Sequence, residues 1–126
     1  MKENEIENDY ARFYIKGEIL YFVYKDKVNI DLEAAKLIVS DRIKLQQDKS
    51  LPVICYVNSL SGSDKPARDY LAKEGSQLTK AVALVVNSPA IKVITNFYLL
   101  VNKPLVPTKV FINEEEAISY LKTFKD

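Results

Sequence analysis

Apolar and polar residues alternate near the start of the chain in a pattern that predicts a β-hairpin. The run ARFYIKGEILYFVY (residues 11–24) keeps a period of two on both sides of Gly17. That period is typical of strands, and a glycine between two such runs marks a turn. The second run is apolar or aromatic on both sides, which predicts that it lies inside a sheet while the first lies nearer an edge.

Further along, strand-like and helix-like segments alternate. LPVICYV (51–57) and KAVALVV (80–86) are almost continuously apolar, as is typical of central strands covered on both faces, and PTKVFI (107–112) predicts a last strand. Helical periodicity covers residues 31–47, 64–74 and 89–103, and it returns from residue 113 to the end of the chain. The predicted N-caps are Asp31, Ser88 and Asn113.

The resulting order, ββαβαβαβα, predicts an α/β fold. A helix that follows a single strand implies a right-handed crossover and parallel pairing, whereas the hairpin adds an antiparallel part. We therefore expect a mixed five-stranded sheet flanked by four helices. The chain of 126 residues fits a single domain, residues 1–126, with a loosely ordered N-terminal segment at 1–9.

Composition removes several classes of function. The net charge is +1 with interspersed signs, so we expect no nucleic-acid partner. Histidine is absent and glycine occurs three times without a phosphate-binding pattern, so we expect no metal, no cofactor and no catalysis. An enzyme that uses only Asp, Glu, Lys or Tyr chemistry remains an alternative. Short apolar runs and a single cysteine, Cys55, predict a cytoplasmic protein without membrane insertion.

Polar residues follow three of the predicted strands. YVNS (56–59) and VVNS (85–88) end two strands identically, and FIN (111–113) ends a third with asparagine. If the strands are parallel, these side chains share one rim beside helix N-termini, where ligands bind in α/β proteins. The alternative is that they only cap helices and shape turns. The rim candidates are Asn58, Ser59, Asn87, Ser88 and Asn113.

A serine-rich loop follows the strand 51–57. The candidate binding or switch loop consists of Asn58, Ser59, Ser61, Gly62, Ser63 and Asp64. Phosphate on such a loop would lie near a helix N-terminus and be tolerated there. The alternative is a plain solvated connection, because loops use serine, glycine and aspartate for conformational reasons.

The predicted helix 89–103 has more apolar surface than a two-layer contact needs. Its apolar residues cover about half of the circumference, while Leu99 lies among polar residues. Either the apolar half is buried in the protein's own core, or part of the helix faces a partner. Tyr98 and Leu99 are the candidate interface residues.

The same segments resemble the STAS-like domains, which include the bacterial anti-sigma-factor antagonists. The resemblance covers residues 10–124 and rests on VICYVNSLSG (53–62), ARDYL (67–71), VALVVNSPAIKVITNFYLL (82–100) and KVFINEEEAISYL (109–121). Within this family, the chain is similar in particular to small stand-alone bacterial members. The antagonists are phosphorylated within Asp-Ser-Ser-Gly. Aligned on Gly62, this chain has Ser59 in place of the aspartate and Leu60 in place of the phosphoacceptor, so kinase control does not carry over.

Two hypotheses about function follow. The first is a non-enzymatic regulatory or interaction module that binds an unidentified protein partner, or a second copy of itself, through loop 59–64 and the adjacent helices. The second is a small-molecule or lipid-binding domain with an apolar pocket at the strand-end rim, where Asn58 and Asn87 would hold a polar head.

Overall fold

In the computed structural model of the protein, residues 4–26, 28–57 and 63–125 are described, and they form one mixed sheet with helices on both faces. The strands are β1 (Glu5–Glu7), β2 (Ala11–Lys16), β3 (Ile19–Tyr24), β4 (Leu51–Val57), β5 (Thr79–Val86) and β6 (Thr108–Phe111). The helices are α1 (Leu32–Gln46), α2 (Lys65–Lys73), α3 (Pro89–Val101) and α4 (Glu114–Lys122), with a 3-10 turn at Glu74–Ser76. The predicted α/β class is confirmed.

The strands lie side by side in chain order. β1, β2 and β3 are antiparallel, whereas β3, β4, β5 and β6 are parallel. The hairpin turns at Gly17 and Glu18, both with positive φ, of 59° and 64°. Glycine adopts that conformation without strain, which explains its place between the two strands.

Six strands form the sheet among the described residues, so the prediction of five was wrong. The additional strand, β1, lies in the segment 1–9 that the sequence predicted to be loosely ordered. Glu5–Glu7 has only three residues, two of them acidic, and shows no strand pattern in the sequence. Its pairing with β2 is visible only in the structure, where Glu5 lies opposite Tyr14 and the Ile15 amide donates to the Asn4 carbonyl at 3.1 Å. An ion pair between Arg12 and Glu5 at 3.5 Å adds to it.

The two faces of the sheet have separate cores. On one face, Phe13, Leu20, Val53 and Cys55 pack with buried residues of α1 and α2. On the other face, Ile54 and two alanines of β5 pack with Ala117 and Leu121 of α4. Three helices therefore share one face and α4 covers the opposite one.

The predicted N-caps position the helices. Asp31 Oδ1 accepts from the Ala34 amide at 2.8 Å, Ser88 Oγ accepts from the Ile91 amide at 3.2 Å, and Asn113 Oδ1 accepts from the Glu116 amide at 3.1 Å. Each side chain satisfies an amide that has no partner within its own helix. No helix in the described ranges is long and apolar enough to cross a membrane.

Candidate functional site: a cavity beneath helix α3

Helix α3 lies with most of its apolar side chains pointing away from the protein. Its exposed apolar residues are Val93, Ile94, Phe97, Leu100 and Val101, with Val93 70% and Leu100 72% exposed. Thr95 is the one buried residue of the helix, at 3% exposure. Of the two alternatives for this helix, burial of the apolar half in the protein's own core does not hold for these five residues. We call the surface formed by these five side chains the outer face of α3.

The inner side of α3 carries polar residues at helical spacing. Ile91, Thr95 and Asn102 lie on one stripe because positions three or four apart are neighbours on a helix. The Thr95 hydroxyl donates to the Ile91 carbonyl at 2.7 Å, so its hydrogen bond is made inside the helix. Small polar side chains fill less space than leucine or phenylalanine would, which leaves a gap between α3 and the sheet.

This gap is a cavity of about 260 Å³. It lies at the carboxyl ends of β3 and β4 and along the middle of β5, beneath α2 and α3. Its walls are largely apolar, including Val28, Val57, Leu71, Val82, Leu84 and Leu99. Cys55 also lines the cavity, and burial raises the pKa of its thiol. A largely apolar cavity with a few polar groups is the usual form of a small-molecule site.

Arg68 of α2 is one of two cationic residues that line the cavity, together with Lys25. Its Nη1 donates to the Ser63 carbonyl at 2.7 Å, and its guanidinium lies 4.4 Å from the centre of the Tyr98 ring. Its Nε is buried and has no hydrogen-bond partner within the described chain. Arg68 is thus fixed by two neighbours, while its buried Nε–H has no partner among the described residues.

Asn102, the C-cap of α3, supplies an acceptor. Its side chain is held by Asp69, whose Oδ1 accepts from Asn102 Nδ2. The residue is 8% exposed and lines the same cavity as Arg68, and its Oδ1 is buried without a partner among the residues that the structure describes. Buried polar groups usually find a partner, so the unpaired Nε of Arg68 and Oδ1 of Asn102 are unusual.

The carboxylate of Asp69 is itself held by a lysine. Lys65 Nζ lies 2.8 Å from Asp69 Oδ2, and this contact lowers the pKa of the Asp69 carboxyl, with a smaller contribution from Asn102. An ionised carboxylate accepts hydrogen bonds and donates none. Asn102 must therefore present its NH₂ group to Asp69, which leaves its Oδ1 without a partner.

The structure describes only part of the predicted serine loop. Asn58, Ser59, Ser61 and Gly62 lie outside the described residues. Ser63 lines the cavity and forms a parallel bridge with Ile30. Asp64 caps α2, where its Oδ1 accepts from the Ala67 amide at 3.0 Å.

The other rim candidates do not line the cavity. Asn87 is exposed after β5, and Ser88 and Asn113 cap α3 and α4. β5 and β6 are parallel with Val85 opposite Phe111, so Asn87 and Asn113 follow neighbouring strand ends at one edge of the sheet, and a ligand site at that rim stays a prediction. Because Asn87 does not line the cavity, it is not placed to hold a polar head there.

The candidate interface residues lie on the inner side of α3. Tyr98 and Leu99 are half-buried and line the cavity, whereas the exposed residues are their neighbours Phe97 and Leu100. Sequence reasoning did not select Arg68 or Asn102. The helical spacing of Thr95 and Asn102 was a signal in the sequence that could have selected Asn102. The sequence does not show that this side of the helix faces the sheet.

Comparisons with known proteins give a family and a fold. Residues 13–125 match the family described as Domain of unknown function (DUF7793). A solved structure of an uncharacterised protein from the DUF3478 family, from Shewanella loihica PV-4, has a SpoIIAA-like fold. It matches with a TM-score of 0.59 and 12% identity, over 92% of this chain and 98% of that one. The STAS-like fold expected from the sequence is thereby confirmed.

A second solved structure is a protein with unknown function from Arthrobacter sp. FB24. It matches with a TM-score of 0.34 and 23% identity, over 87% of this chain and 97% of that one. A search of curated proteins found no match.

Proposed function

The chain belongs to the family Domain of unknown function (DUF7793), and we propose that it is a non-enzymatic module that binds a small, largely apolar molecule in the cavity beneath α3. The observation that carries this proposal is the cavity itself, about 260 Å³ between α2, α3 and the sheet. An apolar cavity of roughly 150 Å³ is enough to hold benzene. The space here suits a ligand of the size of a short acyl chain.

The surroundings of the cavity support binding over catalysis. The surface of its walls is largely apolar, and Cys55, the one nucleophilic thiol of the chain, has a raised pKa that favours the unreactive thiol. The function is accordingly the second sequence hypothesis, at a cavity that is lined by Arg68 and Asn102 and not by Asn87.

Titration with N-phenyl-1-naphthylamine, an apolar dye that fluoresces when shielded from water, tests this function. We expect the full chain to bind the dye, and Ala72→Leu to weaken binding at least about tenfold, because Ala72 lines the cavity and a larger side chain fills it. Ala90→Leu makes the same change at an exposed position of α3 and should bind as the wild type does. Equal binding by both variants, or none by the wild type, would overturn the proposal.

A second candidate function, an interaction module, is favoured by the outer face of α3. Monomeric proteins rarely expose a continuous apolar patch of this kind without a partner. The sequence hypothesis of a protein partner or homodimer applies here to Phe97 and Leu100 in place of Tyr98 and Leu99. Light scattering over a range of concentrations should show self-association that Leu100→Asp abolishes, while Leu37→Asp on α1, also exposed, leaves it unchanged.

The proposed switch in loop 59–64 stays a prediction. Ser63 borders the cavity, so a phosphate there would place charge beside an apolar site. Intact-mass measurement on protein purified from its own host would detect phosphate on Ser59, Ser61 or Ser63. A mass without any phosphate would withdraw the switch.

A further inference from the structure

The outer face of α3 is a continuous apolar stripe that no other element in the described part of the chain covers. Its five side chains follow one another at helical spacing and are 47–72% exposed. Leu105, in the segment after α3, is also 72% exposed, although its neighbours Pro104 and Val106 line the cavity. Single exposed apolar residues are ordinary, whereas a continuous patch of this kind marks an interaction site.

The segment that carries this stripe is positively charged. Residues 87–107 include Lys92 and Lys103 and contain no aspartate or glutamate, although the whole chain has 17 acids. The two lysines give the segment a formal charge of +2. Asp69 contacts α3, but it does so at the buried Asn102, and its carboxylate already forms an ion pair on α2.

The charge of this segment distinguishes between occupants of the outer face. In a symmetric pair of chains the same surface meets itself, so the lysines of both copies would approach one another without an acid of α3 between them. An anionic partner gains from the same lysines. An apolar stripe combined with lysines is typical of helices that lie on anionic membranes, and lipids adapt to a convex helix without a preformed groove.

We infer that the outer face of α3 docks on the surface of an anionic lipid bilayer, with the helix parallel to the membrane plane. Its apolar side chains enter the boundary between headgroups and acyl chains, and Lys92 and Lys103 lie near anionic headgroups. With 13 residues, α3 is about 20 Å long, shorter than a hydrocarbon core of about 30 Å, so it lies on the bilayer and does not span it. This inference concerns the same face as the second candidate function, with a membrane in place of a protein partner, and it does not depend on the cavity.

Sedimentation of the full chain with lipid vesicles tests the inference. We expect vesicles of equimolar phosphatidylglycerol and phosphatidylcholine to bind the chain at least about tenfold more tightly than vesicles of phosphatidylcholine alone, because only the first carry net negative charge. Leu100→Gln should weaken binding to the anionic vesicles about tenfold, since it removes a large apolar side chain from the contact. Leu37→Gln makes the same change at an exposed position of α1 and should bind as the wild type does.

A second pair of variants tests the contribution of charge. Lys103→Gln should weaken binding to the anionic vesicles about fivefold, because each lysine near the surface adds electrostatic attraction. Lys122→Gln, at an exposed position of α4 on the opposite face of the sheet, should leave binding unchanged. Raising the salt concentration from about 0.1 M to about 0.5 M should weaken binding by the wild type, since salt screens these charges.

The outcomes separate this inference from the function of the cavity. Equal binding to both kinds of vesicle, binding that survives Leu100→Gln, or no binding to either kind overturns the inference. Self-association in light scattering without vesicle binding overturns it as well and assigns the outer face to a second copy of the chain. Ala72→Leu, which fills the cavity, should leave vesicle binding unchanged, so the two proposals can fail independently. The comparison of vesicles on the wild-type chain needs no substitution.

Discussion

The side chain of Asn102, at the end of α3, donates its amide to the Asp69 carboxylate on α2, and this contact leaves the Asn102 oxygen unpaired beside the cavity. The same contact joins the two helices that cover the cavity. Lys65 lowers the pKa of Asp69, and the ionised carboxylate of this ion pair on α2 sets the orientation of a buried amide on α3. The contact between α2 and α3 beside the cavity therefore depends on charge as well as on shape.

Low pH should break the hydrogen bond between the side-chain amide of Asn102 and the Asp69 carboxylate. The folded pKa of Asp69 is lowered, so the stabilisation from its ionised form is fully present above the unfolded pKa of about 3.9 and is lost as pH falls through the lower folded value. We expect the Asn102 side-chain NH₂ signals in NMR spectra to titrate with a midpoint below 3.9. Asp69→Asn should abolish that titration, and a midpoint at or above 3.9 would contradict the arrangement.

The orientation of α3 can be tested with two neighbouring leucines. Leu99 lines the cavity and Leu100 is 72% exposed. Leu99→Asp should lower the free energy of unfolding by about 2–4 kcal/mol because it buries a charge among apolar groups. Leu100→Asp should change it by no more than about 0.5 kcal/mol. Urea denaturation measures both.

The pair is its own control, because both substitutions place aspartate at adjacent positions near the end of one helix. Differences in helix propensity or in charge near the C-terminus largely cancel between them. If Leu100→Asp were the more damaging change, α3 would have its apolar half turned inward, which is the other alternative that the sequence left open.

Helix α3 shows where sequence reasoning stopped. Its length and its Ser88 cap were predicted well, because periodicity and capping are local properties. Which half of the helix faces the sheet depends on tertiary packing and is not a local property of the sequence. The usual rule turns the apolar half inward, but here Thr95 and Asn102 face inward, with Asn102 tied to Asp69 on a different helix, a contact that no spacing along the chain reveals.

The sheet and the cavity likewise have parts that the sequence predicts and parts that it does not. β4 and β5 were predicted because continuous apolar runs identify central strands. β1 was missed because Glu5–Glu7 has no such pattern and depends on pairing with β2. The cavity depends on how far α3 stands from β5, a distance that follows from the packing of several elements together.

Cys55 offers a spectroscopic test of burial beside the cavity. It is the only cysteine, it is 6% exposed, and burial raises its pKa, so little thiolate is available to react. We expect a chromogenic disulfide reagent to modify it on the order of 100-fold more slowly in the folded chain than in the urea-unfolded chain.

An exposed cysteine on the same scaffold provides the comparison. Ser119 is exposed on α4, so the double variant Cys55→Ser, Ser119→Cys should react at nearly the unfolded rate while folded. Fast modification of Cys55 in the folded wild type would contradict the burial of this thiol beside the cavity.

One substitution, alanine to leucine, distinguishes filled space from empty space at three sites. Ala72→Leu adds apolar volume where the cavity has room, so it should raise the free energy of unfolding by about 1 kcal/mol. Ala83→Leu adds the same volume where β5 packs closely against α4, so it should lower stability by about 1–3 kcal/mol. Ala90→Leu, exposed on α3, should stay within about 0.5 kcal/mol of the wild type in the same urea titration. A clear loss of stability in Ala72→Leu would mean that the space beneath α3 is already filled by protein, and a binding site there would have to be abandoned.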